Sequence, residues 1–141
     1  MDHEDCIFCK IINGDIPSAK VYEDENVYAF LDISQVTKGH TLVVPKTHTQ
    51  NIYETPPDVA GKLFERVPAI ANAIKRAYHP AGMNLLNNNE KIADQSVFHL
   101  HIHLLPRYDE NDGFSSNWQV HANNYSQDDL QTIAQTIGSE L

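Results

Sequence analysis

The stretch Val97-Phe98-His99-Leu100-His101-Ile102-His103-Leu104-Leu105 decides the fold of this chain. Apolar and imidazole side chains alternate along it, and alternate side chains of a β-strand lie on the same face of the sheet. The alternation predicts a strand over residues 97–105, in which neighbouring imidazoles on one face lie roughly 6–7 Å apart. The other face would point into a core, and it carries Phe98, Leu100, Ile102 and Leu104.

The segments before this strand predict further strands and a short helix. Residues 7–12 are apolar and are followed by Asn13-Gly14, which is typical of one or two helical turns ending at a glycine. Strands are predicted at 21–23, 27–31, 41–44 and 83–86 from their β-rich composition. The first two flank a polar turn and therefore predict a hairpin.

The longest helix is predicted to begin with Thr55 as its N-cap and Pro56 in the first helical position. Pro68 lies inside this helix and is expected to kink or split it. A last helix is predicted from Ser126, with Asp129 three residues later as its capping partner. The buried stripe of the long helix would be Val59, Leu63, Val67, Ile70 and Ile74. Mostly strands with one central helix predict an antiparallel sheet in an α+β fold.

Length and charge limit the classes to which the chain can belong. Its 141 residues fit one domain spanning 1–141, and no apolar run reaches about 18 residues, so no membrane partner is expected. A net charge of −9 argues against a nucleic-acid partner. The start Met1-Asp2-His3-Glu4-Asp5 is acidic, whereas a signal peptide begins basic and turns apolar, so we expect a cytoplasmic protein.

Three imidazoles on one face can bind a metal, carry protons near neutral pH or attack phosphorus or carbon. A neutral imidazole is a good nucleophile when its second nitrogen donates to a backbone carbonyl, because this fixes the tautomer. The two adjacent imidazoles, if protonated, would then stabilise the phosphate oxygens. His-x-His on a strand is also typical of zinc sites, so a catalytic zinc centre is the competing interpretation.

Cys6 and Cys9 form a Cys-x-x-Cys pair, which in a reducing compartment indicates a metal or redox pair instead of a structural disulfide. Tetrahedral zinc needs two further ligands, and His48 and His99 are the candidates. Reduced thiols without a metal are the alternative. A thioredoxin-like pair is disfavoured because no β-α-β pattern follows.

With these residues in view, the chain resembles the histidine triad (HIT) family of nucleotide hydrolases and transferases, whose signature is His-x-His-x-His followed by apolar residues. Five further blocks match family landmarks in family order: 6–12, 29–34, 39–46, 87–88 and 95–97. The cysteine pair is similar to that of the bacterial Hint-like branch. The resemblance implies a five-stranded antiparallel sheet with one main helix and short N- and C-terminal helices, continued across a homodimer.

The resemblance also implies roles around a purine nucleotide. His101 would attack the α-phosphorus and become a nucleotidyl-histidine, and His103, Ser96 and Gln95 would complete the catalytic group. Asp32 would bind the ribose. The other nucleotide-binding residues would be Asn88 and Asp94 near the phosphate and Ile7, Phe8, Ile11, Phe30, Leu31 and Ile33 around the purine.

Because the chain resembles family members that carry the cysteine pair, the resemblance implies a structural zinc ion held by Cys6, Cys9, His48 and His99. It implies no catalytic cofactor, since the family's chemistry needs none. His99 would then be a metal ligand and would not bind phosphate. Residues after the triad reach toward the partner's site in the family, and Trp118 is a candidate for that contact.

Glu90 and Asp94 stand where the family carries glycines. Glycine lets backbone N–H groups approach phosphate closely, whereas a carboxylate at Asp94 would repel it, so we expect weaker phosphate affinity or a shifted substrate preference. The sequence predicts a hydrolase of purine nucleoside phosphoramidates or related nucleotidyl substrates. The alternative is a nucleotide-binding regulatory or interaction protein with little turnover.

Overall fold

A computed structural model describes residues 4–141 and contains a five-stranded antiparallel sheet of order β1-β2-β3-β5-β4. The strands are β1 (Lys20–Glu23), β2 (Val27–Leu31), β3 (Thr41–Pro45), β4 (Gly82–Leu86) and β5 (Ile102–Arg107), and the helices are α1 (Ile7–Ile12), α2 (Pro57–Tyr78) and α3 (Gln127–Gly138). The predicted α+β architecture and the β1–β2 hairpin are confirmed. Part of the acidic start on which the cytoplasmic expectation rests, residues 1–3, lies outside the described residues.

The two faces of the sheet carry different layers. On one face, apolar side chains of α2 and of the strands form a core: Leu63, Val67, Ile70 and Ile74 with Val27, Ala29, Val43, Leu100, Ile102 and Leu104. The opposite face carries Tyr28, Phe30, Leu42 and Val44 and is covered by Phe8, Cys9 and Ile11 around α1. Because Leu42 pairs with His103 across β3 and β5, the His103 side chain belongs to the α1 face.

The long helix α2 differs from its prediction at two points. It begins one residue later than expected, with Pro57 in its first turn and Pro56 at the N-cap, because the Thr55 hydroxyl is already bonded to Thr49 and to the Asn51 carbonyl. It also runs without a break through Pro68, so the predicted split is wrong. Pro68 lies on the exposed side of α2, where water can reach the carbonyl that its missing N–H leaves unpaired.

The strand β5 is shorter than predicted, since it begins at Ile102 and not at residue 97. The Leu100 N–H donates to the Thr49 carbonyl at 2.8 Å, and the His101 carbonyl accepts from the Asn87 side chain at 3.0 Å. These backbone groups are therefore hydrogen-bonded to loop residues and not to a neighbouring strand. Phe98 is 41% exposed, and its predicted place in the core is wrong. The core positions of Leu100, Ile102 and Leu104 are confirmed.

The C-terminal segment after Arg107 lies largely on the surface. Helix α3 has the predicted capping box, in which Ser126 and Asp129 exchange side-chain-to-backbone hydrogen bonds. Its apolar residues and those before it are exposed, among them Trp118, Val120, Tyr125, Leu130, Ile133 and Ile137. Within residues 4–141, no helix has both the length and the apolar character needed to cross a membrane.

Candidate nucleotide site and metal centre

A cavity of about 400 Å³ opens on the α1 face of the sheet, beside the end of β2. All six side chains predicted to surround a purine line it, together with Asp32, Ser96, His101 and His103. Sequence reasoning missed part of the wall, namely Ile16, Pro17, Ser18, Ser34, Leu42 and Val97. Leu42 could have been found from the strand pattern, whereas residues 16–18 belong to a connection with no motif. The volume and mostly apolar lining are typical of a small-molecule site.

His101 lines this cavity and is 5% exposed. Its Nδ1 is 2.7 Å from the His99 carbonyl oxygen, and since a carbonyl only accepts, Nδ1 carries the proton. Nε2 of the neutral ring is therefore an unprotonated nitrogen. Burial lowers the pKa of His101 below its ordinary value of 6.5, which keeps the ring uncharged at neutral pH.

His103 lines the same cavity, with its ring 5.0 Å from that of His101. Its Nδ1 is 2.9 Å from Nε2 of His40, a residue that is 3% exposed and belongs to the loop before β3. Burial, followed by repulsion from His101 and His40, lowers the pKa of His103 to about 4. His103 is thus neutral near pH 7, so it does not stabilise phosphate oxygens as a cation there.

The side chain of Gln95 supports a loop. Its amide nitrogen donates to the Gln50 and Val97 carbonyls at 2.7 and 3.1 Å, and its amide oxygen accepts from the Glu90 N–H at 2.8 Å. Among the described residues, the cavity wall includes Ser96 but not Gln95. The direct catalytic role of Gln95 stays a prediction, and its visible contacts shape the loop that carries Ser96.

The loop at residues 87–94 places the other predicted phosphate contacts. The Asn88 side chain is 3.5 Å from the Asp94 carbonyl, while the neighbouring Asn87 is the residue that reaches the His101 backbone. Asp94 is exposed and, among residues 4–141, is not part of the cavity wall. Glu90 and Asp94 both adopt positive φ, 79° and 69°, where glycine is favoured.

The four predicted metal ligands come together beside α1, with their ligand atoms within 4.8 Å of one another. Nδ1 of His99 is 3.4 Å from Sγ of Cys6 and 3.6 Å from Sγ of Cys9, and Nδ1 of His48 is 3.3 Å from Sγ of Cys9. Tetrahedral zinc with ordinary Zn–S and Zn–N bonds has S···N edges of about 3.5 Å. The donor set and its spacing both suit zinc.

His99 is fully buried and is oriented for this cluster by the backbone. Its Nε2 is 2.8 Å from the Pro45 carbonyl, so Nε2 carries the proton and Nδ1 presents its lone pair toward the thiols. His99 and His101 therefore lie in different surroundings, because the first is beside the cysteines and the second lines the cavity. The bend at residues 97–99 is the local reason that the three imidazoles do not share one uniform face.

The chain is similar to known proteins over most of its length. A family model described as the HIT domain matches residues 13–110. Protein hit of Bacillus subtilis is 59% identical over 138 residues, covering 98% of this chain and 95% of that protein. An adenosine 5'-monophosphoramidase, HNT1 of Candida albicans, is 36% identical over 143 residues, covering 99% of this chain and 93% of its own length.

Solved structures agree with the fold. A HIT family protein from Bacillus anthracis superposes with a TM-score of 0.96 at 58% identity and covers 99% of each chain. A zinc-bound histidine triad family protein from Mycobacterium smegmatis superposes with a TM-score of 0.74 at 35% identity, covering 97% of this chain and 98% of the other.

Proposed function

The chain belongs to the HIT domain family, and from this premise we propose that it hydrolyses purine nucleoside phosphoramidates or related nucleotidyl substrates through a covalent intermediate on His101. The observation that carries the proposal is the hydrogen bond between His101 Nδ1 and the His99 carbonyl at 2.7 Å. It leaves Nε2 of the neutral ring without a proton, in a residue that lines the cavity. This is the arrangement that a nucleophilic imidazole needs.

The reaction would proceed in two displacements at the α-phosphorus. In the first, the Nε2 lone pair forms an N–P bond while the bond from phosphorus to the amine breaks, and the amine takes up a proton from solvent as it leaves. In the second, water attacks the same phosphorus and gives up a proton to solvent, the N–P bond breaks, and the nucleoside monophosphate and neutral His101 are released. Both steps depend mainly on positioning and on hydrogen bonds to the phosphate oxygens.

The rest of the cavity supports a nucleoside as the group that is held. Phe8, Phe30 and Ile11 offer flat apolar surface to a base. The Asp32 carboxylate lines the same wall and can accept hydrogen bonds from two vicinal ribose hydroxyls. The adenosine 5'-monophosphoramidase of Candida albicans, which is similar over nearly the whole chain, supports the same substrate class.

We further propose that Cys6, Cys9, His48 and His99 hold a structural zinc ion. A zinc ion bound by two thiolates and two imidazoles would tie α1 to the segment before β5, and α1 carries part of the cavity wall. The zinc-bound relative from Mycobacterium smegmatis supports this assignment. The catalytic groups His101 and His103 lie outside this ligand set, so no catalytic cofactor is proposed.

A cytoplasmic homodimer is the proposed form of the protein, without nucleic-acid or membrane partners. The exposed apolar side chains of the C-terminal segment, from Trp118 to Ile137, form a surface that a second copy would cover. The strand β4 lies at an edge of the sheet, where a joint sheet could continue. Light scattering after size exclusion tests the dimer, and a monomeric mass at micromolar concentration would contradict it.

Steady-state hydrolysis of adenosine 5'-phosphoramidate tests the proposed function. The His101→Ala variant should lose about 10⁴-fold or more in kcat, since it lacks the nucleophile. The control Glu25→Ala, at an exposed residue of the β1–β2 turn, should retain wild-type activity. Turnover that a chelator abolishes while the fold persists would indicate the catalytic zinc alternative. The carboxylates of Glu90 and Asp94, in the loop before Ser96, would repel a phosphate and so favour a second candidate, a nucleotide-binding protein with little turnover. That candidate predicts AMP binding with negligible hydrolysis of any nucleotidyl amide.

A further inference from the structure

We propose that Asn87 is a positioning residue that holds the backbone of the nucleophile His101 through a relay of two side-chain amides; the proposal rests on the nucleotidyl chemistry put forward above. Asn87 directly precedes Asn88, the residue that the family resemblance places near the phosphate. Within residues 4–141, the cavity wall does not include Asn87, so this residue would act on the reaction through His101 and not by touching the substrate.

His101 lies beyond the paired part of the sheet. The pairing of β5 with β3 extends back to Ile102, and its pairing with β4 extends back only to His103, which faces Leu86. The backbone of His101 is therefore not positioned by a strand ladder. A side chain that must meet a phosphorus atom to within about 0.5 Å needs its rigidity from another source.

Asn87 supplies the contact that the sheet does not. It follows Leu86, the last residue of β4, and its side-chain N–H₂ donates to the His101 carbonyl at 3.0 Å. One side-chain hydrogen bond thus links the two segments where their backbones no longer pair. Because His101 is 5% exposed, removing this donor would leave a carbonyl with little access to water unpaired.

A second amide fixes the first. The Asn89 side-chain N–H₂ donates to the Asn87 amide oxygen at 2.6 Å, and the Asn89 amide oxygen accepts from the Ile52 backbone N–H at 2.8 Å. Since a backbone N–H only donates and a carbonyl only accepts, Ile52 at one end and His101 at the other settle the orientation of both amides. All three hydrogen bonds point the same way, an arrangement in which each bond strengthens the next.

The segment at residues 49–52 holds the nucleophile from two sides. Its Thr49 carbonyl accepts from the Leu100 N–H at 2.8 Å, and its Ile52 N–H begins the relay that ends on His101. Adjacent residues of the catalytic segment are therefore tied to the same short stretch of chain, one directly and the other through the two amides.

Fixing this backbone orients the His101 ring. Nδ1 of His101 donates to the His99 carbonyl at 2.7 Å, and that distance depends on the course of the backbone between the two residues. A shift of the His101 backbone would weaken this bond and turn the Nε2 lone pair away from phosphorus. The side chains around the base and the ribose belong to other segments and would keep their places. Loss of Asn87 should therefore slow the attack more than it weakens nucleotide binding.

The alternative role for the relay is to hold only the loop at residues 87–94, in which Asn88 and Asp94 are predicted to lie near the phosphate. A disturbed loop would weaken the binding of AMP, whereas a misplaced nucleophile would lower kcat with AMP affinity retained. The two roles therefore differ in a quantity that can be measured.

The test compares Asn87→Ala with the control Asn26→Ala, the same change at an exposed residue of the β1–β2 turn. For adenosine 5'-phosphoramidate, Asn87→Ala should lower kcat about tenfold or more, while KM and the calorimetric Kd for AMP stay within roughly threefold of the wild type. Asn26→Ala should match the wild type. Weaker AMP binding with an unchanged kcat would overturn the proposal.

A double-mutant cycle tests the relay itself. Asn89→Ala should lower kcat in the wild-type background, because it releases the Asn87 amide, and should have little further effect in Asn87→Ala, where the relay is already broken. Independent losses that multiply in the double variant would contradict a relay through Asn87.

Nitrogen-15 NMR of the His101 ring gives a readout that does not depend on turnover. The proposal predicts one neutral tautomer with its proton on Nδ1 in the wild type, and a mixture of tautomers in Asn87→Ala. An unchanged His101 ring in Asn87→Ala would overturn the positioning role. If the wild type hydrolyses no nucleotidyl amide, the proposed function fails, and the NMR comparison still decides whether Asn87 positions His101.

Discussion

Replacing Glu90 with glycine should stabilise the protein, although the substitution removes a whole side chain. Glu90 has φ 79° and ψ 156°, a region that is almost exclusive to glycine. It is held there because its N–H donates to the Gln95 amide oxygen and its carbonyl accepts from the Gln95 N–H at 3.1 Å. The strain is thus the consequence of a loop geometry that Gln95 enforces.

The magnitude follows from two opposing terms. Relief of a strained backbone conformation contributes about 1–3 kcal/mol, and the greater freedom of glycine in the unfolded chain costs about 0.5–1 kcal/mol. We expect a net gain of about 1 kcal/mol, which for a chain of this length raises Tm by roughly 3–5 °C. No contact of the Glu90 side chain enters this balance.

Urea unfolding and thermal unfolding of Glu90→Gly measure the effect, with Lys91→Gly as the matched control. Lys91 is the next residue of the same loop and lies in a short helical turn with negative φ, so glycine there should lower stability by about 0.5–1 kcal/mol. Equal losses of stability in the two variants would refute the strain argument.

Three further predictions concern the site. Asp94→Gly should tighten AMP binding, since it removes a carboxylate and frees a backbone at φ 69°, and calorimetry showing unchanged or weaker affinity would count against it. Cys9→Ser should abolish stoichiometric zinc in metal analysis and lower Tm by several degrees, while zinc content equal to that of the wild type would exclude the proposed ligand set. The free energy of unfolding should fall as the pH falls from 6.5 toward 4. In the unfolded chain His103 binds a proton at its ordinary pKa of 6.5, whereas burial and then the neighbouring imidazoles lower its pKa to about 4 in the folded protein. The unfolded state therefore binds more protons over this range and is favoured as the pH falls. The His103→Gln variant should lose up to about 2 kcal/mol less stability than the wild type over this pH range, after allowance for solvent screening of a partly exposed ring. An equal loss in both proteins would show that other groups cause it.

The alternating sequence around the histidines predicts the sheet well, but not where its last strand begins. Leu100, Ile102 and Leu104 are apolar at period two, and this local pattern is enough to place them in the core. Phe98 follows the same pattern but is exposed. The Leu100 N–H donates to the carbonyl of the distant Thr49, so the strand begins only at Ile102 and does not extend back to Phe98. Long-range backbone contacts of this kind leave no local sequence signal.

The same distinction applies to the site. Most of the cavity wall and the metal cluster could be predicted because the residues stand in recognisable blocks, such as the cysteine pair and His99. The contact of Gln95 with the Gln50 carbonyl and the His40–His103 pair could not, since no pattern in the sequence indicates which partner each side chain takes. Polar side chains in loops take their partners from the tertiary structure, and only coordinates reveal which carbonyl or ring nitrogen lies within reach.

The most direct test of the central claim is a rapid acid-free quench of the wild type during turnover of adenosine 5'-phosphoramidate, followed by peptide mass spectrometry. Attack by Nε2 predicts an adenylyl group on His101, at a level that rises before steady state and disappears when substrate is exhausted. Sustained turnover with no adenylylated peptide, or with the group on a different residue, would contradict nucleophilic catalysis by His101.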